Sequence, residues 1–140
     1  MAEVVLLDAG PLVALADRHD AAHGWAVLQL RRLRDPLQCC GAVLAEAGFV
    51  LRHAPLALGR IRAEIEHGNI VPVPESPILW QRCFALMERY ANVPMSFADA
   101  CLVALAETMP GARIFTLDRD FLIYRQENGQ PLALVAPFDD

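Results

Sequence analysis

The sequence predicts an α/β fold built on a mainly parallel sheet that is covered by helices. Short aliphatic and β-branched runs alternate along the chain with longer segments that have helical patterns. Strands separated by helical segments need crossover connections, and these join parallel strands. With 140 residues, of which 55% are hydrophobic and 21% charged, the chain fits one globular domain spanning residues 1–140.

Five apolar runs are predicted to be strands because they are short and rich in aliphatic residues. They span residues 4–7, 37–40, 70–73, 113–117 and 132–135. Pro110-Gly111 precedes the fourth, and a turn at Asn128-Gly129 leads to the fifth. Ligands of such sheets collect at the carboxyl ends of the strands, so residues that follow a strand are the first place to search for a site.

Six helical segments separate these strands. They are predicted at residues 12–16, 21–34, 42–52, 55–68, 77–90 and 96–107. Gly10-Pro11 begins the first, and Asp20 is the expected N-cap of the second, which Asp35-Pro36 ends. Ser76-Pro77 and Ser96 begin the last two.

The charge balance counts against a protein that binds nucleic acid through bulk electrostatics. The chain carries 17 acidic and 12 basic side chains, a net charge of −5, and every basic residue is an arginine. Nucleic-acid binders usually have a basic excess. A nucleic-acid function therefore needs a specific explanation for the acids.

The cysteines and the N-terminus indicate where the protein resides. The four cysteines lack the spacing of metal fingers or redox motifs and lie in apolar surroundings, which is typical of buried thiols in a reducing compartment. No signal-peptide pattern and no membrane-spanning run is recognisable. We therefore expect a cytoplasmic location without membrane contact.

Three isolated carboxylates are the most informative feature of the sequence. Asp8, Glu46 and Asp99 are each the only charged residue in a long apolar stretch. Neither Glu46 nor Asp99 has an arginine at helical spacing on its own face. Because an unpaired, desolvated carboxylate is costly, each is expected to be protonated or to meet a cation.

A second signal is where the acids fall relative to the predicted strands. Asp8 and Asp118 each follow an apolar strand, and parallel strands would bring both to one edge of the sheet. Glu46 and Asp99 are expected near the beginnings of helices that could line that edge. Four carboxylates without a lysine nearby make a site of hard oxygen ligands, which suits Mg²⁺ or Mn²⁺.

Each acid also has a structural explanation when it is taken alone. Asp8 could cap the helix that follows it, and Asp99 fits a capping box with the serine three residues earlier. A helix end that faces solvent would account for Glu46. Asp118 and Asp120 could belong to a turn, where aspartate is common.

Four segments carry a family resemblance in their order and spacing. They are Val5-Leu6-Leu7-Asp8 with Ala9-Gly10-Pro11-Leu12, then Leu44-Ala45-Glu46-Ala47, Ser96-Phe97-Ala98-Asp99-Ala100, and Phe115-Thr116-Leu117-Asp118-Arg119-Asp120-Phe121. Together these segments resemble the PIN-domain family and, within it, the compact VapC-type toxins of bacterial toxin–antitoxin pairs. The resemblance extends over nearly the whole chain, from the first predicted strand to the last. The resemblance implies a PIN-like three-layer α/β/α fold with about five strands.

The resemblance further implies an Mg²⁺- or Mn²⁺-dependent ribonuclease whose acids hold metal and activate water. Asp8, Glu46 and Asp99 match the family's acidic positions. For the fourth position both Asp118 and Asp120 fall within the motif, and Asp118 is preferred because it directly follows the predicted strand. The resemblance also places Ser96 and Thr116 behind the ligands, where they would hold carboxylates or a metal-bound water.

Partners follow from the same resemblance. It implies an RNA substrate, a homodimer, and a small VapB-type antitoxin whose tail covers the site. Many such toxins have lysines around the cleft, whereas this chain has none. RNA contacts are therefore expected from arginines, with Arg18, Arg52 and Arg119 as the candidates.

Two alternatives stay open. A phosphoryl-transfer domain of the haloacid dehalogenase or receiver type also places an aspartate at a strand end, although Asp8 has no second aspartate two positions on. A degenerate PIN-like module would act only through protein contacts. If Asp8, Glu46, Asp99 and Asp118 bind metal, the rest of the chain has 13 acidic residues and 12 arginines, a net charge of only −1. The acidity of the protein is then a property of one cleft.

Overall fold

A computed structural model describes residues 3–138 of the chain. Within them, strands and helices follow one another in the order β1 (Val5–Leu7), α1 (Ala9–Ala16), α2 (His23–Arg32), β2 (Leu37–Cys39), α3 (Gly41–Val50), α4 (Pro55–Glu66), β3 (Ile70–Pro72), α5 (Pro77–Arg89), α6 (Phe97–Thr108), β4 (Arg113–Phe115) and β5 (Leu134–Val135). A short 3-10 helix (Arg119–Leu122) lies between β4 and β5.

The five strands form one sheet in which every neighbouring pair is parallel, as predicted. The strand order is β3-β2-β1-β4-β5, so the chain builds outward from β1 to β3 and then returns to the other side of β1 for β4 and β5. Crossovers between parallel strands are almost always right-handed, so this reversal places α1 to α4 on one face and α5 and α6 on the other. The result is the predicted three-layer α/β/α arrangement.

The core lies on both faces of the two central strands. Leu6 and Leu7 of β1 and Ile114 and Phe115 of β4 are fully buried. Strands covered on both faces read as continuous apolar runs, which is why these two were recognisable in the sequence. The helix α6 has a buried run from Ala100 to Leu105, so it packs deeply against this core.

The strands are shorter than predicted, and α1 begins earlier. The strand β4 ends at Phe115, and β5 begins at Leu134 rather than at residue 132. Helix α1 begins at Ala9 instead of residue 12, because the Asp8 carboxylate accepts a hydrogen bond from the Ala9 backbone N–H and caps the helix. Pro11 is accommodated because it lies in the first turn, where its missing N–H costs nothing.

The prediction that Asp20 caps α2 is wrong. The helix begins at His23, three residues later, and ends at Arg32. Asp20 instead holds the preceding turn, since its side chain accepts a hydrogen bond from the Ala22 N–H at 2.9 Å and its carbonyl accepts one from His23. A short aspartate can satisfy a turn as readily as a helix start, and the local sequence does not distinguish the two.

The predicted burial of the cysteines is confirmed. All four cysteines, Cys39, Cys40, Cys83 and Cys101, are buried and unpaired. Burial raises the pKa of the Cys39 thiol to about 12, which keeps it neutral. None of the helices within residues 3–138 combines the length and the apolar character needed to cross a membrane.

Candidate active site

An open cleft lies at the carboxyl edge of the sheet, where β1 and β4 end side by side. It is lined by Asp8, Glu46, Asp99, Asp118 and Arg119, together with Ala9, Gly10 and Leu117. The two strands are the neighbours between which the strand order reverses, and such a switch point is where parallel sheets bind ligands. The fold therefore brings together the four acids that the sequence singled out.

Asp8 is the most buried acid of the cleft, with 6% of its surface exposed. One carboxylate oxygen accepts a hydrogen bond from the Ala9 N–H at 2.8 Å, and the other accepts one from the Thr116 hydroxyl at 2.7 Å. Burial raises the pKa of Asp8, the two hydrogen bonds oppose that rise, and the charges of Glu46 and Asp118 add to it. Asp8 is thus both a helix cap and a cleft acid.

Asp99 lies in the first turn of α6 and is partly buried. Ser96 caps this helix by accepting a hydrogen bond from the Asp99 backbone N–H at 3.0 Å. Ser96 therefore holds the Asp99 main chain, and its side chain also lowers the pKa of the Asp99 carboxyl. The role that the resemblance gives Ser96, holding a carboxylate or a metal-bound water, stays a prediction. Burial first, and then the charge of Asp8, raises the pKa of Asp99 to about 6.

Glu46 lies in the middle of α3, not near the beginning of the helix, and is exposed at the mouth of the cleft. The predicted desolvation is only partial, because the neighbouring Phe49 and Val50 are also exposed rather than packed around the side chain. The burial that it retains raises the pKa of Glu46, and the charges of Asp99 and Asp118 raise it further.

Of the two candidates for the fourth acid, Asp118 and Asp120, only Asp118 lines the cleft. Asp118 lines the cleft, and its backbone N–H donates to the Thr116 hydroxyl at 3.0 Å. Asp120 is not among the residues that line the cleft. Asp118 lies three residues beyond the end of β4 rather than directly after it, and its carboxylate caps the 3-10 helix by accepting a hydrogen bond from the Asp120 N–H at 2.9 Å.

Mutual repulsion is the electrostatic signature of this cleft. Each of Asp8, Glu46 and Asp99 has a raised pKa, and in every case another cleft acid contributes to the rise. Such a cluster of hard oxygen ligands matches the preferences of Mg²⁺ and Mn²⁺. Among residues 3–138, however, no three acidic, histidine or cysteine side chains are arranged closely enough to hold one metal ion. The chemistry of the four carboxylates fits a divalent cation.

The three candidate arginines lie in different places. Arg119 lines the cleft, with its guanidinium 4.9 Å from the centre of the Phe138 ring. Arg52 stacks on Phe49 at 4.1 Å and donates to the Phe49 carbonyl. Arg18 lines a separate groove beside the start of α4. Of the three, only Arg119 is part of the acidic cleft.

One residue of the site was missed by sequence reasoning. The hydroxyl of Tyr124, a fully buried residue, donates a hydrogen bond to Asp99 Oδ2 at 3.1 Å. Tyr124 follows the fourth matching segment and has no motif of its own. The only signal available was a tyrosine within a few residues of a candidate ligand, which is too common to identify a role.

The fold and the cleft together define a parallel α/β protein with a carboxylate site at the switch point of its sheet. The sequence profile of the PIN domain matches residues 5–126. The chain belongs to the PIN domain family. Because the chain is a PIN domain, it is not a phosphoryl-transfer domain of the haloacid dehalogenase or receiver type.

Solved structures with the same fold agree with this assignment. The chain is similar to VapC20 of Mycobacterium tuberculosis, described as a sarcin-ricin loop cleaving toxin, with 19% identity, a TM-score of 0.72, and coverage of 83% of this chain and 91% of that one. It is also similar to PAE2754 of Pyrobaculum aerophilum, with 20% identity, a TM-score of 0.60 and coverage of 97% and 92%.

A third similar structure is VapBC2 of Rickettsia felis, solved bound to a DNA fragment from its promoter. The identity is 13% and the TM-score 0.63, and the match covers 97% of this chain and 99% of that one. No curated protein matches the sequence.

Proposed function

We propose that this protein is an Mg²⁺- or Mn²⁺-dependent endoribonuclease that hydrolyses RNA phosphodiester bonds. The observation that carries the proposal is the convergence of Asp8, Glu46, Asp99 and Asp118 on one cleft at the switch point of a PIN fold. Repulsion among four carboxylates disfavours this arrangement unless a cation binds between them and offsets their charge. Asp8, Glu46, Asp99 and Asp118 are the proposed ligands, with Thr116 behind Asp8.

A bound divalent ion would polarise the phosphodiester and lower the pKa of a bound water. The protein residues contribute position. Asp8 is held by hydrogen bonds at both carboxylate oxygens, and Asp118 is anchored through its backbone to Thr116. Glu46 is exposed on α3, so its side chain can turn toward a cation bound in the cleft.

Arg119 is the proposed contact with the RNA backbone inside the cleft. Arg119 is exposed and lines the same cleft as the four carboxylates, where an arginine can bind a phosphate that approaches them. Without a cation the cleft repels RNA, so we propose that RNA binding as well as cleavage depends on the metal. A net charge of −5 is then compatible with a ribonuclease.

We further propose that the protein is the toxin of a type II toxin–antitoxin pair, acts in the cytoplasm, forms a homodimer and is held by a VapB-type antitoxin. Support comes from the VapC20 and VapBC2 likenesses, both to VapC-type structures. Large apolar side chains exposed on α3, α4 and α5, including Phe49, Leu56 and Ile78, offer surface for protein partners.

The decisive test is a cleavage assay on total RNA. We expect cleavage by the wild type with Mg²⁺ or Mn²⁺, none in chelator, and none by Asp99→Asn. Glu88→Gln, which removes an exposed carboxylate from α5 outside the cleft, is the matched control and should cleave like the wild type. Equal cleavage by the wild type and Asp99→Asn, or in chelator, would refute the assignment. No cleavage by the folded wild type would favour a non-catalytic PIN module.

A further inference from the structure

Tyr124 lies directly behind Asp99 and has no role in the function proposed so far. Its hydroxyl donates to Asp99 Oδ2 at 3.1 Å, linking α6 to the segment that follows the 3-10 helix. The bond uses one carboxylate oxygen of Asp99 and leaves the other for a ligand. A carboxylate held in this way cannot turn freely about its last bond.

The donor itself is held rigidly. The Tyr124 ring is fully buried and packs edge-on against Phe121, with ring centres 5.3 Å apart, and against Tyr90, with centres 5.1 Å apart. The Tyr90 hydroxyl accepts a hydrogen bond from the Arg125 backbone N–H at 2.9 Å, so it bonds the main chain, whereas the Tyr124 hydroxyl bonds the Asp99 carboxylate. Because aromatic rings packed on two sides have little freedom, the phenol oxygen has a defined position relative to Asp99.

We propose that Tyr124 is a positioning residue that orients the Asp99 carboxylate for a divalent cation. The inference rests on the proposed function, because it assigns Tyr124 to the same metal site. A hydrogen bond that preorients a ligand raises metal affinity, and loss of such a partner typically costs about 10- to 100-fold in affinity. The same bond in a purely structural role would stabilise the fold and leave metal affinity unchanged.

The chain supplies a matched control, because Tyr90 and Tyr124 are its only two tyrosines. Tyr124→Phe and Tyr90→Phe each remove one hydroxyl from the same pair of packed rings, yet only Tyr124 contacts Asp99. Mn²⁺ affinity is measured by titration calorimetry on the full chain, and thermal unfolding of the metal-free proteins is measured in parallel. Both variants keep their rings and should retain the fold.

We expect Tyr124→Phe to weaken Mn²⁺ binding by about tenfold or more. Tyr90→Phe should bind Mn²⁺ within about twofold of the wild type, whatever either variant does to the melting temperature. Equal Mn²⁺ affinity in all three proteins would overturn the positioning role, as would an equal loss in both variants. If the folded wild type binds no Mn²⁺, the proposed metal site itself is refuted.

A measurement on the wild type keeps the test independent of the variants' folding. With both tyrosine rings labelled with ¹³C, the Cζ resonance reports on the hydrogen bond of each hydroxyl. Saturation with Mg²⁺ should shift the Tyr124 resonance clearly more than that of Tyr90, because cation binding withdraws charge from the Asp99 carboxylate. Two unmoved resonances under conditions where Mg²⁺ binds would overturn the inference.

Discussion

The Thr116 hydroxyl donates a 2.7 Å hydrogen bond to Asp8 Oδ2 and so joins the carboxyl ends of the two central strands. The Thr116 hydroxyl oxygen also accepts a hydrogen bond from the Asp118 backbone N–H at 3.0 Å. Thr116 is fully buried and therefore cannot exchange these partners for water. One hydroxyl thus positions a buried acid and the backbone of a second acid of the cleft.

Removing this hydroxyl should destabilise the protein. Thr116→Val keeps the shape of the side chain but leaves a buried carboxylate short of one donor, and we expect a loss of about 1 to 3 kcal/mol in the free energy of unfolding. Urea unfolding at neutral pH measures the change. Thr108→Val is the matched control, since Thr108 is the only other threonine and bonds only the Leu105 carbonyl. A loss no larger than in the control would contradict the role given to Thr116.

Without metal, stability should fall as the pH rises from about 4 to about 6. The folded protein holds a proton on Asp99 up to a pKa of about 6, whereas the ordinary value is 3.8. Between these values the folded state binds more protons than the unfolded state, so deprotonation costs stability, up to about 3 kcal/mol from this group. The raised pKa values of Asp8 and Glu46 act in the same direction.

The test is the pH dependence of the urea midpoint in chelator. Asp99→Asn should flatten the decline between pH 4 and pH 6 and should be more stable than the wild type at neutral pH. A wild-type midpoint that rises over this interval would show that the pKa of Asp99 is not raised in the folded protein. An unchanged slope in the variant would show the same.

Divalent cations should stabilise the folded protein. Filling the cleft relieves repulsion among the acids, and Mg²⁺ at a hundredfold excess over its Kd adds about 3 kcal/mol. Thermal unfolding with and without Mg²⁺ measures the effect. Glu46→Gln should reduce the gain, whereas Glu88→Gln, an exposed glutamate on another helix, should not. An identical gain in both variants would remove Glu46 from the ligands.

Asp118 and Asp120 provide a direct comparison two residues apart. Asp118 lines the cleft and Asp120 does not, so Asp118→Asn should reduce Mn²⁺ affinity and RNA cleavage at least tenfold, and Asp120→Asn should change both less. Asparagine can still accept the hydrogen bond from the Asp120 N–H, so the 3-10 helix should persist. The reverse ranking would identify Asp120 as the fourth ligand.

The candidate arginines should differ in their effect on RNA binding. Arg119→Gln should weaken metal-dependent RNA binding, because Arg119 is the only one of the three that lines the cleft. Arg18→Gln should have little effect on this step. Binding is measured with labelled RNA in Mg²⁺ and in chelator, on chains that keep all four cleft acids and over times too short for cleavage. An equal loss in both arginine variants would extend the RNA surface beyond the cleft.

By itself, the sequence determined the parallel α/β class, all five strands and the four acids of the cleft. These features are carried by local signals, namely continuous apolar runs at the buried strands and acids that are isolated in an apolar stretch or follow a strand. Where a short polar side chain could satisfy two local structures, as Asp20 does, the prediction of the helix start was wrong.

Only the tertiary structure decided which arginine lines the cleft, that Asp118 rather than Asp120 lines it, and that Tyr124 holds Asp99. These relationships depend on contacts between residues far apart along the chain. Thr116 and Asp8 are separated by 108 positions, and Tyr124 and Asp99 by 25. Periodicity and capping signals extend over only a few residues, so they predict where helices and strands lie along the chain. Which side chains meet is decided when the sheet is assembled and its core is packed.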